Sequence, residues 1–226
     1  MLNFVRVSAL LCLTLLPSVT LAAGEHKAVD ILFETRQLDL IEKGREVTYR
    51  FERSGSDERL VGKNYADDIR LGVAKVDDKG SRDVVFRVFT GENARDPQNW
   101  PELTINPLFI WYLDRAVATF NTLAGGNQMY LKARFREAFR DKAKVEEIKY
   151  DFDGKSVDAY KITIAPYADD ANAKKMQGFE NSRFTVIVSE QVPGYFADLQ
   201  ASYISTEAAG PKLDEQIKVV GMGEQK

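Results

Sequence analysis

The sequence predicts an α+β fold: a strongly curved antiparallel β-sheet, an incomplete barrel, with an inserted helical hairpin covering one face. Two blocks of alternating apolar and polar residues, each broken by turn residues, predict the strands. Between them runs a stretch of helical periodicity, interrupted by Gly125-Gly126, which predicts the hairpin. An alternating sheet is wet on one face and must cover the other, so the helices belong on its apolar, concave side.

In chain order, residues 29–41 fit neither a clean helix nor a clean strand and predict a short helix or irregular arm, ended by Gly44. Residues 47–53 alternate strictly, with Val47, Tyr49 and Phe51 on one face, the period-two pattern of a strand. Ser54-Gly-Ser-Asp57 is turn chemistry, residues 59–61 suggest a short strand, and residues 69–73 alternate again. Asp77-Asp-Lys-Gly80 supplies a turn into a strand over residues 84–89. Asp96-Pro97 and Trp100-Pro101 predict an irregular loop. Asn106-Pro107 then reads as a cap and first helical residue for a helix over 108–123. Phe109, Leu113, Ala116, Val117, Phe120 and Ala124 share one face of that helix. Asn127 caps a second helix over 129–141, whose apolar side carries Leu131, Phe135, Ala138 and Phe139. Strands resume at 145–152 and 156–165 around the hairpin signal Asp153-Gly154. Two more, at 183–189 and 195–205, flank Val192-Pro-Gly194, and a last short strand is expected around 217–220.

Residues 1–23 read as a secretory signal peptide: one cation at Arg6, an apolar run to Leu21, and small residues at Thr20, Ala22 and Ala23. Cleavage after Ala22 or Ala23 leaves one domain, residues 24–226, in the periplasm. The apolar run is short for a membrane anchor and is broken by Pro17. Leu11 before Cys12 is too large for lipidation. The processed chain then has no cysteine and relies on packing rather than disulfides. No Asn-x-Ser/Thr acceptor occurs, which favours a bacterial periplasm over eukaryotic secretion. Loss of Arg6 takes the 31 basic residues to 30 against 34 acidic, a net charge of −4 that argues against nucleic-acid binding.

The available side chains exclude most catalysis. The single histidine, His26, sits beside the new N-terminus, where no rigid Ser-His-Asp or Cys-His apparatus forms, and zinc sites of His and Cys fall with it. Asp151-Phe-Asp153-Gly154 imitates a calcium loop, but the twelfth position is Ile162 rather than Glu. Gly125-Gly126 follows a helix and lacks the Lys-Ser/Thr of a phosphate loop. No catalytic residue, metal or cofactor is expected.

Two groups of residues remain as candidate binding sites. Trp100, Phe109, Trp111 and Tyr112 exceed what one buried helix face needs and are candidates for lining an apolar pocket between helix and sheet. Lys132, Arg136 and Arg140 recur at four-residue spacing with Arg134 beside them, a stripe suited either to solvent or to an anionic envelope surface.

The Asn106-Pro-Leu-Phe109 start, Gly125-Gly126 leading to Tyr130-Leu-Lys-Ala-Arg134, and Val192-Pro-Gly194 together resemble a family of uncharacterised secreted proteins of Gram-negative, chiefly alphaproteobacterial, bacteria. The order of sheet, helices and sheet is also loosely similar to the periplasmic lipoprotein carriers LolA and LolB. That similarity implies an incomplete barrel with a helical lid over an apolar cavity. No lipid-contact residue of those carriers has a counterpart here, and fold alone does not carry function. The sequence thus points to a non-enzymatic periplasmic binding or envelope-maintenance protein, not integral to the membrane, holding an apolar or lipid-like ligand between helices and sheet. A hydrolase using carboxylates alone on envelope glycans and a purely structural interaction module stay open.

Overall fold

The structure is a computed structural model describing residues 27–207 and 210–225. The signal-peptide reading of residues 1–23, with Cys12 and His26, lies outside the described residues.

Strands β1 (Arg45–Gly55), β2 (Tyr65–Val76), β3 (Arg82–Val88) and β4 (Gln98–Leu103) form one antiparallel meander. A second contains β5 (Lys144–Phe152), β6 (Lys155–Ile164), β7 (Arg183–Val188), β8 (Phe196–Ile204) and β9 (Lys212–Glu224). Pairing of β9 with β1 joins them into one nine-stranded sheet in the order β4-β3-β2-β1-β9-β8-β7-β6-β5. The end strands β4 and β5 do not meet, so the barrel is unclosed. Register shifts interrupt β1–β9, β2–β3, β3–β4 and β7–β8, and such bulges bend the strands that carry them.

The alternation in the sequence becomes the inner face. Val47, Tyr49 and Phe51 are fully buried, and Tyr49 stands opposite Ile69 on β2 and Val219 on β9. Turn chemistry behaves as expected. Asp77 accepts from the backbone N–H of Lys79 at 2.9 Å and of Ser81 at 2.7 Å. Asp153 and Gly154 both take φ values near the left-handed helix, 52° and 71°, as a tight hairpin turn requires.

Three expectations about the strands are corrected. Residues 58–61 form a helical turn, α2 (Glu58–Val61), because Asp57 accepts from the Arg59 N–H at 3.0 Å and caps it. Residues 98–103 are a strand rather than a loop; Pro101 is tolerated because β4 is an edge, where a missing N–H costs no ladder bond. The final strand is not short. β9 spans 13 residues and sits mid-sheet, and what hid it was Glu215, a charge at an inward position.

On the inner face lie α1 (Ala28–Phe33), α3 (Leu108–Ala124) and α4 (Gln128–Glu137), the last running into a wider π-type turn at Ala138–Lys142. Asn106 Oδ1 accepts from the Leu108 N–H at 3.0 Å, and Asn127 Oδ1 from Met129 and Tyr130, so both expected caps form. Phe109, Tyr112, Ala116, Phe120 and Ala124 bury one stripe of α3. Ring pairs knit the helices to the sheet: Phe109 stacks on Phe196 at 5.2 Å, and Phe135 meets Phe184 at 4.5 Å. Burying each such side chain stabilises by roughly 1.5–3 kcal/mol.

Candidate functional site

Buried side chains from helices and sheet form one apolar cluster. Phe120 lies 4.0 Å from Tyr167 between ring centroids, and Phe184 packs edge-on against Tyr203. Two of the core hydroxyls are also bound, Tyr112 Oη donating to the Gln200 carbonyl at 2.6 Å and Tyr203 Oη to that of Ala116 at 3.2 Å. The buried Tyr167 hydroxyl, by contrast, has no hydrogen-bond partner among the described residues. Burial pushes the Tyr112 and Tyr203 phenols well above their ordinary range. At these positions helix and sheet meet in packed core.

The four aromatic candidates separate accordingly. Phe109 and Tyr112 are buried in that core, their rings stacked 6.3 Å apart. Trp111 is partly buried and packs against another part of the same core, on Phe51 and Phe89, beside the Arg115 guanidinium. Trp100 stands on the edge strand opposite Val84.

An apolar concavity does exist, on the side of the helices away from this core. A groove of about 660 Å³ runs between α1, α3 and α4. Phe33, Ile110, Leu113, Val117, Phe135 and Phe139 line it, with Met129 at its edge. Phe33 and Ile110 are each 45% exposed and Met129 80%, an unusual grouping of large apolar side chains in contact with water. It arises because α3 carries two apolar stripes. One meets the sheet; Ile110, Leu113 and Val117 form the other, which α1 and α4 only partly cover. The sequence contained that second stripe at its helical spacing, but not the neighbours that leave it open.

The basic stripe borders this groove: Lys132, Arg136 and Arg140 line it together with Asp114. The stripe is largely neutralised. Lys132 pairs with Asp114 at 2.6 Å, Arg134 with Glu137 at 2.6 Å, and Arg140 with Asp141 at 2.7 Å. Arg134 also lies over the Tyr130 ring. Among the described residues, Arg136 makes no ion pair. The Lys132–Asp114 and Arg140–Asp141 pairs are half-exposed or more, a class worth about 0–1 kcal/mol, so an incoming anion competes for these cations at little cost. Across the rim, cations outnumber carboxylates by the one charge of Arg136.

Among the described residues, no group of three or more His, Cys, Asp or Glu side chains is placed to hold a metal ion. No helix among them is long and apolar enough to cross a membrane.

No family model matches the sequence, and no curated protein matches it. Two solved structures are similar in outline. One is the Mycobacterium tuberculosis lipoprotein LppX, 12% identical, with 80% of this chain and 87% of that one covered at a TM-score of 0.33. The other is a LolA superfamily protein of Nitrosomonas europaea, 9% identical, with 89% and 94% covered at a TM-score of 0.24. At these identities and TM-scores the likeness is one of loose outline alone and bears on neither family nor function.

Proposed function

We propose that this is an exported, non-enzymatic binding protein of the periplasm that holds an anionic amphiphile in the groove between α1, α3 and α4. The observation that carries this reading is the groove itself: an apolar lining that includes the exposed Phe33, Ile110 and Met129, bounded by Lys132, Arg136 and Arg140. An acyl chain lies on Phe33, Ile110 and Leu113, and its anionic head meets Arg136. Volume supports it, since small-ligand sites span about 300–1,000 Å³. The ligand therefore sits on the outer side of the helices rather than between helices and sheet.

Delipidated protein titrated with oleate, octanoate and oleyl alcohol tests the reading. Each buried methylene adds about 0.8 kcal/mol, so oleate binds far more tightly than octanoate. Oleyl alcohol, lacking the charge, binds more weakly than oleate. Ile110→Glu combined with Met129→Glu places charge at two exposed positions of the groove, one in its lining and one at its edge, leaves folding intact and removes oleate binding. Unchanged oleate binding by that double variant would overturn the proposal.

A further inference from the structure

On the opposite flank of α3 lies a second concavity of different chemistry. We propose that this pocket, between α2, α3 and the β3–β4 connection, binds a small oxyanion, phosphate or carboxylate, on Arg53, Arg95 and Arg115. Its volume is about 580 Å³, and Trp111, Thr119 and Thr122 complete the part of the wall that matters here.

Charge carries the inference. Glu215 rises from β9 into the inner face, its side chain only 4% exposed. Arg115 Nη2 donates to its Oε1 at 2.7 Å, and Arg53 Nη1 donates to the same oxygen. One carboxylate is thus divided between two largely buried guanidiniums, which leaves an uncompensated positive charge facing the pocket. Arg95 adds a second from the rim. The other acid in the lining, Asp114, is taken by Lys132. A buried charge left unpaired is costly, and a bound anion is the direct compensation.

Geometry agrees with charge. The Arg115 guanidinium lies 4.4 Å from the Phe51 ring centre and 5.5 Å from that of Trp111, which orient it without neutralising it. Its Nη2 also donates to Tyr65 Oη at 3.1 Å, which helps fix the plane of the guanidinium. Arg53 is anchored by donating to the Val61 carbonyl of α2. The loop bearing Arg95 is held from below by Asp67, which accepts from Thr90 Oγ1 at 2.7 Å and the Thr90 N–H at 3.0 Å. Arg95 itself donates its N–H to the Val88 carbonyl. Three planar forks with spare donors around one cavity suit the geometry of an oxyanion.

This site uses Trp111, Arg115 and Thr119 of α3, whereas the apolar groove uses Ile110, Leu113 and Val117, so either proposal can fail alone. Trp111 is one of two tryptophans, and Trp100→Phe makes it the sole reporter. In that background, inorganic phosphate and, separately, acetate are titrated against sodium chloride of equal ionic strength. A saturable change in Trp111 emission with phosphate, acetate or both, beyond that of chloride, is the expected result, and the stronger arm identifies the oxyanion. Arg95→Ala weakens the binding about tenfold or more, the loss of one charge-assisted contact. Lys155→Ala, on β6, removes the same charge and leaves binding unchanged. No response beyond chloride to either anion, or equal binding by Arg95→Ala, overturns the proposal.

Discussion

Asn106 and Gly194, 88 residues apart in the chain, are joined by a buried hydrogen bond of 2.7 Å from the Asn106 side-chain amide to the Gly194 carbonyl. The same amide donates to Tyr49 Oη at 2.9 Å, while Asn106 Oδ1 caps α3. Gln37 adds the N-terminal arm by accepting from the Asn106 N–H at 2.8 Å and donating to the Leu32 carbonyl at 2.7 Å. Two segments that stood out in the sequence, Asn106-Pro107 and Val192-Pro-Gly194, are therefore one structural joint. It sets where α3 leaves the sheet, and so where both of its flanks lie.

Asn106→Ala strips a partner from Tyr49 Oη and from the α3 cap at once, and leaves the Gly194 carbonyl with only the Phe196 N–H. Each buried polar group left unpaired costs about 1–3 kcal/mol. Urea unfolding is expected to show a large fall in midpoint with little change in slope. A midpoint within error of wild type would mean that the joint does not hold the fold.

Gly194→Ala is expected to be worse than an ordinary glycine substitution. Its φ of 75° disfavours any side chain, and a Cβ there runs into the Tyr49 hydroxyl. Both effects act on the same joint, so the double variant with Asn106→Ala falls short of the sum of the singles. Full additivity in urea midpoints contradicts the coupling.

Asp198, on the outward side of β8, is buried, and burial holds its carboxyl above the usual Asp range. Hydrogen bonds from Gln216 and Gln200 and the charge of Lys218 act the other way. Its negative charge also helps burial push the Tyr150 phenol up to about 12. Folded protein therefore takes up the proton of Asp198 more readily than the unfolded chain, and stability falls as pH rises from the ordinary value of 3.8 through the raised one. Asp198→Asn is expected to raise the urea midpoint at neutral pH. The wild-type deficit relative to the variant shrinks as pH is lowered toward 4. A constant difference across that window assigns the effect to packing instead.

Asp67 works in the opposite sense. Burial opposes its ionisation, but hydrogen bonds from Thr90 and from the Asp68 backbone outweigh it and hold the carboxyl below the ordinary range. Its contribution is present above pH 3.8 and is lost as pH falls through the lowered value. Asp67→Asn is expected to lower the urea midpoint near neutral pH and to bring it closer to wild type in acid. The expectation fails if the two midpoints differ equally at both ends.

Arg136→Glu with Arg140→Glu reverses the free cation at the groove rim and one exposed, paired cation. Exposed substitutions rarely change stability by more than about 0.5 kcal/mol, so folding is retained. Co-sedimentation with phosphatidylglycerol vesicles is expected to drop sharply at low salt. In wild type it fades as salt rises past the point where screening acts within about 8 Å. Equal sedimentation of wild type and variant at low salt makes these residues a solvated helix face.

Much of the fold was legible because its signals are local. Val47, Tyr49 and Phe51 declare a strand by their own spacing, Asp153-Gly154 declares a turn by its own backbone preference, and Asn127 declares a helix start through its own side chain. The misreadings arose where a distant partner outweighed the local signal. Pro101 argued for a loop until the sheet placed it on an edge. Glu215 broke the apolar period of β9 until Arg53, 162 residues away in sequence, and Arg115, 100 residues away, held it.

The sequence by itself determined which side of each element is apolar, where the chain turns, and that the chemistry of histidine and cysteine is largely missing. Only the tertiary structure decided what covers each side. The face of α3 bearing Phe109 and Tyr112 became core, the Ile110 and Leu113 stripe became an open groove, and three arginines from separate segments came to surround one pocket. Periodicity is a property of neighbours along the chain, whereas burial, ion pairing and cavities are properties of neighbours in space. A helix with two apolar stripes does not itself say which of them the sheet will take.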